Sequence, residues 1–149
     1  MTQTQVESTR PEGATGGTAD RPARSMNGPV AVVDLNAETT SLRNEPIWQT
    51  ANVNAMTLSK EPDIRLVLTT VKSGAVMRQH SVPGTLTVQT LSGRIRLNLA
   101  DQQMELSAGK VLILERNIVH DIEALEDSTF LLTIAWPGRD QADLVTRGG

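Results

Sequence analysis

The sequence predicts an all-β domain whose sheet is closed on itself or folded into two layers. From residue 64 onward, short β-branched and apolar runs are separated by turn residues, the pattern of a sandwich or barrel. Within residues 94–99 the apolar side chains alternate with polar ones, which indicates one dry and one wet face. In residues 110–114 and 130–136 the apolar residues follow one another without alternation. Strands covered on both faces are expected there.

The predicted strands follow in order and are separated by turn pairs such as Pro83-Gly84 and Ser92-Gly93, where glycine accepts a positive φ. They are residues 64–71, 85–91, 94–99, 103–107, 110–114, 119–124 and 129–135. Upstream, residues 30–35 read as a first short strand, and residues 29–60 as an extended lead-in to a barrel at 61–137. Residues 138–149 are interpreted as a C-terminal tail.

Residues 1–28 are rich in Thr, Gly, Ser and Pro, and apart from Val6 and two methionines they contain almost no large apolar side chain. Such a segment buries too little surface to offset the entropy of ordering, so a disordered N-terminal tail is predicted. The segment also lacks the apolar core of a secretory signal. Apolar stretches elsewhere fall far short of the roughly 20 residues of a membrane helix. A cytoplasmic protein with no membrane partner is the resulting expectation.

Charge and composition exclude several classes of function. The 14 basic and 17 acidic residues are interspersed and give a net charge of -3, so no basic stripe exists for nucleic acid. The chain has 0 cysteines, which removes disulfides, thiolate metal sites and cysteine nucleophiles. A Gly-x-Ser-x-Gly elbow and a phosphate loop after a strand are both missing. Serine hydrolase and nucleotide chemistry are therefore disfavoured.

Two segments, residues 74–93 and 109–120, resemble the signature motifs of the cupin superfamily. The likeness rests on a skeleton of glycines and histidines: Gly74, His80, Gly84, Gly93, Gly109 and His120. The likeness spans about residues 64–135. Within the superfamily, the chain is similar to small single-domain bacterial cupins of the RmlC-like, cupin type-2 kind. The resemblance implies a double-stranded β-helix (jelly-roll) barrel, a hairpin at Gly93 and a homodimer.

Cupin metal sites, as the resemblance implies, take two histidines and a glutamate from the first motif and one histidine from the second. His80 and His120 stand at the first and last of these positions, but Val82 and Leu86 occupy the other two. A stable mononuclear site normally has three or four protein ligands. A degenerate site is therefore predicted, with no certain cofactor and at most weak binding of a divalent transition metal by the histidine pair.

Gln89 is a candidate pocket residue and third donor if the strand register is shifted so that Thr87 and Gln89 face inward. The apolar pattern favours Leu86 and Val88 inward instead, and a slip of one residue reverses every side chain. The predicted ligand-binding residues are accordingly His80, His120 and Gln89, of which the two histidines are also the candidate metal ligands. The arginines are interpreted as solvated exterior residues: Arg65, Arg78, Arg94 and Arg96.

Three functions are compatible with these residues. The leading interpretation is a small-molecule-binding cupin of undefined ligand, in which His80 and His120 exchange hydrogen bonds with the ligand in an apolar barrel mouth. The first alternative is a metal-dependent oxygenase or isomerase that uses the same two histidines. The second is a sensory or interaction module that reports a ligand through its dimer interface.

Overall fold

The structure is a computed structural model that describes residues 28–136. The predicted tails, 1–28 and 138–149, lie outside the described residues except for Gly28. In chain order the elements are α1 (Leu35–Asn44), α2 (Pro46–Ala51), β1 (Val53–Glu61), β2 (Ile64–Val71), β3 (Val76–His80), β4 (Thr85–Ser92), β5 (Arg94–Asn98), β6 (Gln103–Ser107), β7 (Val111–Leu114), β8 (His120–Ala124) and β9 (Ser128–Ala135).

The strands form two antiparallel sheets. One sheet has five strands in the order β1-β2-β9-β4-β7, and the other has four in the order β3-β8-β5-β6. The all-β prediction is confirmed for this body, and each predicted strand from residue 64 onward overlaps an observed one. At Gly93 the chain leaves the first sheet at the end of β4 and enters the second with β5. The predicted hairpin at Gly93 is therefore wrong, because β4 and β5 do not pair.

The main core lies between the sheets, and β5 shows how the sequence pattern places it there. Ile95 and Leu97 are completely buried, whereas Arg94 and Arg96 lie on the other face of the strand. Their guanidinium groups form ion pairs with Glu105 at 3.1 Å and with Glu123 at 3.0 Å, respectively. The alternation predicted for this strand is confirmed.

Two strands were expected to be covered on both faces, and only one is. The central strand β9 buries Phe130 in the core between the sheets, while Leu131 packs against a second apolar cluster. By contrast, β7 is an edge strand whose Val111 and Ile113 remain 53% and 70% exposed. The prediction is wrong for β7 because the unbroken apolar run there does alternate, with Leu114 buried and its neighbour exposed.

The segment before β1 contains two helices instead of an extended chain. Residues 30–34 form no regular element and α1 begins at Leu35, so the predicted strand at 30–35 is wrong. The extended lead-in at 29–60 is wrong over α1 and α2. The Asp34 carboxylate accepts a hydrogen bond from the Ala37 amide at 3.0 Å and caps α1. Pro46 begins α2, where its missing amide hydrogen costs nothing. Asn52, at φ 65°, ends α2 in the left-handed conformation and leads into β1.

The helices are attached to the outer face of the five-stranded sheet. Leu42 of α1 is completely buried in the second cluster, together with Met56, Leu58 and Leu68. The side-chain amide of Asn54 donates hydrogen bonds to the Leu42 carbonyl at 2.9 Å and to the Glu45 carboxylate at 2.8 Å. Within residues 28–136, no helix combines the length and apolar character needed to cross a membrane.

Candidate functional site

A cavity of about 90 Å³ lies between the two sheets. It is large enough for ordered solvent or a small ligand, since one water needs about 10–15 Å³ of such cavity volume. Most of its lining is aliphatic, with a few polar side chains. The lining residues are Ala55, Thr57, Arg65, Val67, Thr69, Met77, His80, Val82, Leu86, His120, Ile122, Leu132 and Ile134.

His80 and His120 meet at this cavity, from neighbouring strands of the four-stranded sheet. His80 ends β3, His120 begins β8, and the two are paired directly across the strands. Their ring centroids are 6.1 Å apart and the ring planes are tilted by 36°. The two motifs of the sequence are thus brought together at their histidines.

The ring nitrogens of the two histidines differ in their hydrogen bonds. His120 Nδ1 lies 3.0 Å from the Ile118 carbonyl oxygen, and a carbonyl can only accept, so this nitrogen carries the hydrogen of the bond. In the neutral ring the electron pair then belongs to Nε2. His80 Nε2 is buried and has no hydrogen-bond partner in the protein. A ligand atom between the rings would meet one fixed acceptor and one unsatisfied nitrogen.

Burial also affects the protonation of His80. Desolvation is the largest cause that lowers its pKa below the ordinary value, and the nearby His120 lowers it further. Asp121 acts in the opposite direction and raises the pKa. Because the lowering causes dominate, His80 is a neutral imidazole at neutral pH, able to donate through one nitrogen and accept through the other.

Gln89 does not join the histidines. In β4 the buried residues are Leu86, Val88 and Thr90, and Gln89 is exposed on the opposite face. Gln89 is paired with Val111 of β7 and Leu131 of β9, and it does not line the cavity. The register with Gln89 facing inward is therefore wrong, because burial of Leu86 and Val88 fixes the strand in the opposite one.

Three polar lining residues were not predicted from the sequence. Arg65 and Thr69 share one face of β2, and Thr57 extends into the cavity from β1. The prediction of Arg65 as an exterior residue is wrong. Both faces of β2 carry apolar residues, so the sequence does not show which face of the strand points into the barrel. Thr69 is completely buried and its hydroxyl has no hydrogen-bond partner.

The donor set does not fit the divalent metal that the cupin resemblance implies. Val82 and Leu86 line the cavity beside the histidines, and neither side chain has an electron pair to donate. In residues 28–136 no group of three or more His, Cys, Asp and Glu side chains could hold a metal ion. Two imidazoles beside a guanidinium provide fewer ligands, and less negative charge, than such an ion requires.

Solved structures resemble this chain, although no protein-family model and no curated protein matches it. A conserved protein of unknown function from Streptococcus pyogenes is 22% identical, with a TM-score of 0.61 over 77% of this chain and 94% of the other. A cupin superfamily protein from Desulfitobacterium hafniense is 20% identical, with a TM-score of 0.61 over 77% and 100%. A cupin-2 domain protein from Shewanella frigidimarina is 14% identical, with a TM-score of 0.57 over 70% and 95%.

These structures, together with RmlC-like cupins found among the matches, share one architecture with the chain. The protein has the cupin fold, as the motif resemblance implied. At identities of 22% and below, the likeness establishes the fold and leaves the chemistry to the residues of the cavity.

Proposed function

We propose that this protein is a small-molecule-binding cupin whose ligand occupies the cavity beside His80 and His120. The observation that carries the proposal is a mostly aliphatic cavity into which two imidazoles converge, one of them with a buried nitrogen that no protein group satisfies. Small-molecule sites combine apolar walls with a few polar atoms in this way.

The unsatisfied nitrogen of His80 favours a polar ligand atom between the rings. A buried donor or acceptor without a partner costs about 1–3 kcal/mol, and His80 Nε2 is in that position. A ligand that hydrogen-bonds this nitrogen would recover part of that free energy on binding. The aliphatic walls would hold the remainder of the ligand through burial of apolar surface.

Binding of a small molecule needs only the cavity residues, whereas each of the two alternative functions needs a further component. A metal-dependent oxygenase or isomerase needs a divalent ion for which the cavity offers only two imidazole ligands. A sensory module needs a partner that reads the ligand, and no described feature identifies one. A homodimer and a cytoplasmic location remain proposals; the exposed edge strand β7 supports the former, since edge strands readily pair with a second chain.

The experiment is a fragment screen read out by NMR of the histidine rings. The chain contains 2 histidines, so the imidazole spectrum has two spin systems, which His80→Gln and His120→Gln assign. We expect fragments that bind to shift both sets of ring resonances, and both variants to bind those fragments more weakly.

Gln89→Ala is the matched control, because Gln89 is exposed and lies outside the cavity lining. Its fragment affinities should equal those of the parent protein. Fragments that bind without moving either histidine, or a diverse library from which nothing binds, would count against the proposed function.

A further inference from the structure

The described lining of the cavity includes one guanidinium and no carboxylate. Its polar lining residues are Thr57, Arg65, Thr69, His80 and His120. Aspartate and glutamate are absent from the described lining residues. A guanidinium is a cationic group that only donates hydrogen bonds, so the described lining offers a charged donor to an anion and no carboxylate to a cation.

The strand register places Arg65 beside the wall that faces the histidines. Arg65 pairs with Ile134 of β9, and Ile134 pairs with Leu86 of β4. All three residues line the cavity, so they form one row across the inner face of the five-stranded sheet. His80 and His120 line the same cavity from the four-stranded sheet.

The guanidinium is held in place by an aromatic ring. Its central carbon lies 5.6 Å from the centre of the Trp136 ring, within the range of a cation–π contact. A guanidinium carries five N–H donors, so Arg65 can bind a ligand in addition to its contacts within the protein. Its flat fork of donors matches a carboxylate.

We propose that the cavity binds a small aliphatic carboxylic acid as its anion, with the carboxylate on Arg65 and a hydrogen bond from the His80 imidazole. This inference rests on the proposed function, because it names the ligand class of the same cavity. The aliphatic part of the acid packs against Val82, Leu86 and Ile122, which line the cavity. At about 90 Å³, the cavity is smaller than the roughly 150 Å³ cavity that accepts benzene, so the acid is short.

The test compares three probes of equal chain length: butyrate, butyramide and butylammonium. Calorimetric titration should give the tightest binding for butyrate. The butyramide carbonyl can also accept a hydrogen bond, but the charge-assisted bonds of a carboxylate are about twice as strong, so butyrate should bind roughly five- to tenfold more tightly than butyramide. Butylammonium should bind most weakly, because its charge repels that of Arg65.

Arg65→Met should remove the preference for butyrate over butyramide, and Arg65→Lys should keep part of it, since a lysine retains the charge without the fork. Arg94→Met is the control, because Arg94 forms its ion pairs on the outer face of β5. The ranking of the three probes on the parent protein needs no variant, so it stands even if an Arg65 variant misfolds.

Each outcome separates this inference from the proposed function. If butyramide or butylammonium binds as tightly as butyrate and shifts the histidine resonances, the carboxylate inference fails and the binding function stands. If Arg65→Met leaves the preference for butyrate intact, the inference fails as well. If none of the probes binds at millimolar concentration, the inference is overturned, while the fragment screen still decides the function.

Discussion

At the scale of single residues, the half-buried His80 ring makes a testable contribution to stability. Its pKa is lowered in the folded protein, chiefly by desolvation, below an unfolded value of about 6.5. As the pH falls, the unfolded chain therefore takes up a proton before the folded one does. Stability linked to His80 is complete above about pH 6.5, declines below it, and levels off beneath the folded pKa.

We expect His80→Gln to remove this part of the pH dependence. Urea unfolding of the parent and of the variant, measured from about pH 8 to about pH 5, gives a difference in unfolding free energy at each pH. Below about pH 6.5 the unfolding free energy of the parent should fall more than that of the variant, because glutamine takes up no proton. A difference that stays constant across this range would mean that His80 is solvated in the folded protein.

Residue positions on strands show why the sequence predicts part of the site and misses the rest. His80 and His120 could be predicted because they stand at two ligand positions of the motifs that resemble those of cupins. Arg65 was missed because β2 is apolar on both faces, so its pattern does not reveal which face is inward. For Gln89 the apolar pattern of β4 was informative. It favours Leu86 and Val88 on the inner face, as the structure has them, and this leaves Gln89 on the outer face.

At the scale of elements, the crossing of the chain from β4 in the first sheet to β5 in the second depends on Gly93. This residue has φ 81°, which strains any residue with a side chain. A Cβ atom there would overlap the Asp127 carbonyl oxygen and the Ser128 hydroxyl. The same hydroxyl accepts a hydrogen bond from the Arg94 amide at 2.9 Å, so the crossing is tightly packed.

Gly74 supplies the matched control for this position. It has a similar φ of 89°, but a Cβ atom added there would meet nothing within 4 Å. Gly74→Ala should lose about 1–2 kcal/mol from backbone strain alone. Gly93→Ala should lose a further 1–3 kcal/mol or so, because the overlap forces neighbouring atoms to move. Equal losses in urea unfolding would show that the crossing tolerates a side chain.

The helices α1 and α2 were missed for a different physical reason. The sequence of α1 offers few apolar residues, Leu35 and Leu42 among them, too few to suggest an amphipathic helix. Its start is marked instead by Asp34 as N-cap and by Glu38 in the first turn, and Pro46 marks the start of α2. These local signals, rather than periodicity, could have predicted the helices.

At the scale of the whole molecule, most of the barrel could be predicted because its strands are short and bounded by turn residues. Strands β2 and β6 begin and end where they were expected. The sheet order could not be read from local patterns, since it depends on which distant strands pair. The convergence of the two motifs at one cavity likewise depends on the pairing of β3 with β8, which joins His80 to His120.

We propose that the histidine pair marks a site for an organic ligand and not for a divalent metal. Zinc titration by calorimetry, on protein purified without a histidine tag, tests it most directly. Val82→His combined with Leu86→Glu is the positive control, since both residues line the cavity beside the histidines and the changes complete a four-ligand set.

We predict that the parent binds zinc weakly or not at all and that the double variant binds it far more tightly, because two imidazoles become four ligands. Stoichiometric, tight zinc binding by the parent that His120→Ala abolishes would contradict an organic-ligand site and favour a metal-dependent enzyme.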